Sequence, residues 1–143
     1  MNTQKTPQNT LEDIKVNIKL KLAAFWASFM FLYIYVDHFA LYMPKKIAGI
    51  IQGKVFVFDI SQGFLLAALV SVSIPALMIF LSAALPAKIN RGLNITIATI
   101  LVPYSLFNLA GEAWLHMLYG AVVEVIILCL IIYNAWKWPR VEI

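Results

Sequence analysis

Long runs of apolar residues, interrupted by a few isolated polar positions, dominate this chain. Four runs are long enough to cross a bilayer, at roughly 22–43, 63–85, 93–113 and 116–136, because a hydrocarbon core of about 30 Å takes about 20 helical residues. The pattern predicts an all-α protein: a four-transmembrane-helix bundle with a short N-terminal amphipathic helix and a small extracytoplasmic loop element. Residues 1–9 are polar and expected to be disordered, which leaves 10–143 as a single membrane domain. Thr10-Leu11-Glu12-Asp13 can cap a helix start. Leu11, Ile14 and Ile18 then share one face and Lys15 and Lys19 another, as in an interfacial helix, or in a solvated extension of the first span. Between the first two spans, Ile47, Ile50 and Ile51 keep helical spacing until Gly53 breaks it. That predicts a short helix lying over the mouth of the bundle, either covering a site or only connecting two spans.

Composition agrees with a membrane domain. Of 143 residues, 62% are hydrophobic, and the mean hydropathy is +0.84; soluble domains are about 45–50% apolar. The net charge of +4 comes from residues flanking the spans, which leaves no basic face for nucleic acid. Lys5, Lys15, Lys19, Lys21, Lys88, Arg91, Lys137 and Arg140 fall on one side of the alternating spans, and Lys45, Lys46 and Lys54 on the other. The excess of basic residues marks the cytoplasmic side and predicts that both termini lie there. The polar first 21 residues and the long apolar stretch after them do not read as a cleavable signal, so the first span is expected to stay. Cys129 is the only cysteine; it can form no internal disulfide or Cys-x-x-Cys centre and reads as a small buried hydrophobe.

The polar interruptions are not evenly spread. Asp37 and His38 come late in the first span, and Asp59 and Gln62 open the second. Asn108 and Glu112 close the third, while His116 and Glu124 come early in the fourth. Alternating span directions bring all of them toward the extracytoplasmic face and leave the other half without ionisable groups. Tyr104, Asn108 and Glu112 are spaced i, i+4, i+8, as are His116, Gly120 and Glu124, and Tyr33 and Asp37 are four apart; each set stacks on one helix face. Such residues in a membrane segment are costly and are functional candidates by default. The ligand-binding candidates are therefore Asp37, His38, Tyr104, Asn108, Glu112, His116 and Glu124. Glu124 is the deepest acid, and it either stays protonated or pairs with His38, His116 or a basic ligand.

Three chemistries suit this set. His38 and His116 with carboxylates could hold zinc or iron, or the two imidazoles a haem. Histidine and glutamate in a dry pocket could perform acid–base chemistry on an apolar substrate. Glu124 could titrate during proton-linked transport. Structural roles compete with each. Asp59-Ile60-Ser61-Gln62 has capping-box spacing, Glu112 after Gly111 can cap the fourth span, and Asn108 and Glu124 can tie helices by hydrogen bonds. Pro75 and Pro103 fall near the midplane, where two kinks could widen the extracytoplasmic half; the hydroxyls of Ser71 and Thr99 are placed to satisfy the carbonyls that proline leaves unpaired. The sequence specifies no cofactor.

The segments Tyr33-Ile34-Tyr35-Val36-Asp37-His38-Phe39, Ala84-Leu85-Pro86-Ala87-Lys88-Ile89-Asn90-Arg91 and Pro103-Tyr104-Ser105-Leu106-Phe107-Asn108-Leu109-Ala110-Gly111-Glu112-Ala113-Trp114 resemble a family of small four-span bacterial membrane proteins of unknown function. The resemblance runs from about residue 10 to the C-terminus and implies a topology without an activity. The plan of interior His, Glu, Asn and Trp is also similar to sterol-isomerase-like bundles and DoxX-like proteins, from which no residue role carries over. Small multidrug exporters share the size and a buried glutamate but place that acid in the first span. The expected function is a small-molecule or lipid-binding bundle with an outward-facing polar pocket. Its expected partners are the lipid bilayer, a small apolar or cationic ligand and, for a transporter, further copies of itself. The alternatives are a proton-linked small transporter and a structural or accessory membrane subunit.

Overall fold

The computed structural model describes residues 14–110 and 113–139. Its elements, in chain order, are α1 (Ile18–Ala40), α2 (Lys46–Ile51), β1 (Lys54–Val55), β2 (Phe58–Asp59), α3 (Gln62–Ala84), α4 (Ala87–Phe107) and α5 (Leu115–Trp136). α1, α3 and α5 are each long and apolar enough to cross a membrane, which fits a membrane protein. α4 is nearly as long but opens with Lys88, Asn90, Arg91 and Asn94 and does not reach that apolar threshold. α1 packs against both α3 and α5, α5 also packs against α4, and α3 and α4 touch more sparingly. One end of this packing carries the starts of α1 and α4 and the end of α5 and is called the basic end below. The other, the loop end, carries α2 and the β1–β2 hairpin.

Several boundaries differ from the sequence expectation. α1 begins at Ile18, because the Asn17 side chain accepts a hydrogen bond from the Lys19 amide at 2.9 Å and caps the helix there. Ile14 to Val16 therefore lie outside a helix. The expected amphipathic N-terminal helix does not extend through them, and Thr10–Asp13 lies outside the described residues. α4 starts six residues before the expected third span, directly after Pro86, whose fixed φ suits a helix start. It also stops at Phe107, so Asn108 is a C-cap rather than a mid-helix residue. α3 is capped by Ser61, whose hydroxyl accepts from the Phe64 amide at 3.1 Å; the capping box predicted from Asp59 is two residues out of register, and Asp59 lies in β2 opposite Lys54. Cys129 is exposed rather than buried.

The core occupies the basic half, where Leu22, Phe29, Met78, Leu128 and Ile131 are almost completely buried. Within it lies a polar cluster that apolar patterning did not anticipate. Trp26 reads as an interfacial anchor in the sequence, yet it is fully buried and its indole N–H donates to Asn94 Oδ1 at 2.7 Å. The same oxygen accepts from Ser82 Oγ at 3.2 Å. Asn94 Nδ2 donates to Asn90 Oδ1 at 2.7 Å and to the Asn90 carbonyl at 2.9 Å. Asn90 Nδ2 in turn donates to the Ser82 carbonyl at 2.6 Å and to the Leu85 carbonyl at 3.4 Å. Every amide group of both asparagines is thus used, and the cluster joins α1, α3 and α4. Arg91 Nε donates to the Ala135 carbonyl at 3.2 Å and attaches α5 at the same level.

An unpartnered buried donor costs about 1–3 kcal/mol. Asn94→Leu leaves the Trp26 indole N–H and the Ser82 hydroxyl without their acceptor, and a loss of that size is expected as a lower midpoint in denaturing-detergent titration. Asn134→Leu is the control. Its amide only turns back to the Leu130 carbonyl of its own helix, and the midpoint is expected to move little.

Candidate functional site

Above the core the helices part around a cavity of about 630 Å³, within the 300–1,000 Å³ range of small-molecule sites. Helical periodicity builds its walls. Tyr33, Val36, Asp37 and Ala40 of α1 and Phe64, Ala67, Ala68 and Ser71 of α3 follow the same i, i+3, i+4, i+7 stripe. Met117, Ala121 and Glu124 come from α5, Tyr104 and Ser105 from α4, and Asn108 from the turn after it. Alanines occupy five of the lining positions, Ala40, Ala67, Ala68, Ala110 and Ala121, and their short side chains leave the hollow open. It lies on the loop-end side of Pro75 and Pro103. The hydroxyls expected to satisfy the carbonyls freed by those prolines point elsewhere, Ser71 Oγ to the Ala68 carbonyl and Thr99 Oγ1 to the Ile95 carbonyl, both at 2.7 Å.

The loop between α1 and α3 covers the mouth. The expected short helix is present as α2, which contributes Lys46 to the lining. The hairpin after it is not legible as one, because its turn residues are Phe56 and Val57. Phe56 has a φ of 57°, and positive φ at the first turn residue alone is the mark of a type II′ turn, a position that favours glycine. Val55 to Phe58 all line the cavity, and Phe58 stacks on Phe64 with ring centroids 5.8 Å apart, which ties the cover to α3.

Four of the predicted residues therefore share one cavity: Asp37, Tyr104, Asn108 and Glu124. Glu124 is buried, at 3% exposure. Asp37 lies close enough to act on it electrostatically. Ser105 is buried beside Glu124, and its hydroxyl makes no well-aligned hydrogen bond. The hydroxyls of Tyr33 and Tyr104 are 3.4 Å apart. An aromatic column of Trp26, Phe29 and Tyr33 runs from the amide cluster to this point, with successive centroids 5.9 and 6.0 Å apart.

The two histidines do not join the set. His38 packs edge-on against Phe39 and Tyr42 on the exposed side of α1. His116 lies against Trp114, and its buried Nε2 has no hydrogen-bond partner among the described residues. Among the described residues no three His, Cys, Asp or Glu side chains gather as metal ligands, and neither His38 nor His116 lines the cavity. Glu112 lies outside the described residues. The sequence reading passed over Ser105, although it is adjacent to Tyr104 in the predicted stripe, and it passed over the hairpin residues, for which no turn signal was available.

A family model described as a family of unknown function, DUF6326, matches residues 11–143. The chain belongs to this family, in agreement with the resemblance to an uncharacterised family seen in the sequence. No curated protein and no solved structure matches it.

The wall between α1 and α5 rests on Gly120. A Cβ at this position would collide with Val36 Cγ2, a branched side chain with little freedom to move. Gly120→Ala is expected to push the helices apart and cost about 1–3 kcal/mol. Val36→Ala in the same chain should restore most of the loss, so a double-mutant cycle in detergent unfolding is expected to show coupling between the two sites.

Proposed function

We propose that this protein is an integral membrane protein whose α1, α3, α4 and α5 each cross the bilayer, with both termini on the cytoplasmic side, and that it binds a small molecule in the cavity at its outward-facing loop end. The distribution of Lys and Arg between the two sides supports the orientation. The inclusion of α4 rests on Asn90 and Asn94, which are fully buried against neighbouring helices rather than facing outward, as polar residues in membrane segments must be.

The binding reading rests on one observation: a cavity of about 630 Å³, mostly apolar, into which Asp37, Tyr104, Asn108 and Glu124 converge from three parts of the chain. Apolar walls with a few convergent polar groups are the usual construction of a ligand site. Binding is favoured over transport because the helices close below the cavity, where Phe29, Met78, Ala98 and Leu128 are nearly or fully buried. A through-path would require that layer to separate.

Two measurements test the reading. In a Cys129→Ser background, a cysteine introduced at Gly49 should react with an impermeant thiol reagent from the extracytoplasmic side; reaction only from the cytoplasmic side overturns the orientation. Native mass spectrometry of the purified full chain should show a retained small molecule, and Ala68→Phe, which fills the cavity from α3, should release it. Equal retention by wild type and Ala68→Phe would place the bound molecule elsewhere.

A further inference from the structure

We propose that the occupant of this cavity is an organic cation with a compact ammonium head and an apolar body, the head seated between Asp37 and Glu124. This deepens, and rests on, the ligand-binding reading above. The inner part of the cavity carries carboxyl and hydroxyl groups, all of which can accept a hydrogen bond. Glu124 is buried there on α5, and Asp37, on α1, lines the same space and acts on it electrostatically. Two carboxyl groups sharing a hollow of low polarity do not both ionise readily, and a bound cation is what lets both carry charge. The Ser105 hydroxyl, buried to 1% exposure beside Glu124 and without a well-aligned hydrogen bond among the described residues, lines the same space. The paired hydroxyls of Tyr33 and Tyr104 complete the inner surface, and the phenol rings can face an ammonium group within about 6 Å. Lys46, a cation among the lining residues, belongs to α2 at the loop end, away from Glu124 along the helix axes.

The rest of the cavity selects the body of the ligand. Val36, Ala40, Ala67 and Ala68 are apolar, and the stacked Phe58 and Phe64 stand toward the mouth. A bare metal ion would need several ligands converging at about 2.0–2.6 Å, and no group of three such residues is present among the described ones. A neutral ligand would leave the two carboxyl groups protonated and would gain nothing from their charge. Charge at the inner end and apolar rings toward the mouth together fit an amphiphilic ammonium ion with its head directed inward.

The test compares two probes of nearly the same shape, benzyltrimethylammonium and its uncharged isostere neopentylbenzene, by equilibrium dialysis against the full chain in nanodiscs, with empty nanodiscs subtracted. The cation is expected to bind at least about tenfold more tightly. Asp37→Asn and Glu124→Gln should each weaken the cation by at least about tenfold while leaving the neutral probe within about twofold. Gel-filtration elution and Trp26 fluorescence check that each variant is folded. Equal affinities for the two probes, or folded acid variants that bind the cation as wild type does, would overturn the cation inference. If Ala68→Phe then still blocked both probes, the ligand-binding reading would stand without it. Failure of both probes to bind would count against both readings.

Discussion

The hydrogen bond from the Trp26 indole to Asn94 is the contact on which the rest of the architecture depends. Where apolar side chains meet apolar side chains, neighbouring helices gain little from choosing one register over another. A buried amide removes that freedom, because any other alignment leaves donors and acceptors unpaired. Asn94 receives α1 through Trp26 and α3 through Ser82, and Asn90 returns to the last carbonyls of α3. Three helices are held in one register at one level, and Arg91 adds the fourth through the Ala135 carbonyl.

That clamp allows the opposite half to be hollow. Helices fixed at one end can diverge at the other, provided that at least one contact keeps the walls in place. Val36 against Gly120 is that contact for α1 and α5, since the absence of a side chain at Gly120 lets the two backbones approach. Above it, alanines leave space, and the α2–hairpin segment closes over that space. The buried carboxyl of Glu124 therefore sits at the boundary between a tightly packed half and an open one, where a partner can reach it from one direction.

Much of this was legible in the sequence, and the failures have identifiable causes. α3 and α5 coincide with the expected spans because their apolar runs are bounded by polar residues at both ends. α4 was displaced because hydropathy counts Asn90 and Arg91 as exterior, whereas mutual hydrogen bonding makes Asn90, with Asn94, interior. Their four-residue separation was the available sign that they share a face. Helical spacing groups Asp37, Tyr104, Asn108 and Glu124, and the four line one cavity. The histidines were not, for reasons of rotation: His38 is one residue, about 100°, past Asp37, and His116 is eight residues, about 80° of net rotation, from Glu124. The hairpin was invisible because Phe56 occupies a turn position where glycine or asparagine would normally announce it.

The amide clamp has one more consequence. None of its members, Trp26, Ser82, Asn90 and Asn94, gains or loses a proton in the accessible range of acidity. The two halves of the molecule therefore differ in what they can sense. The carboxyl groups of Asp37 and Glu124 line the cavity in the opposite half, so a change in acidity would act on that half and not on the clamp.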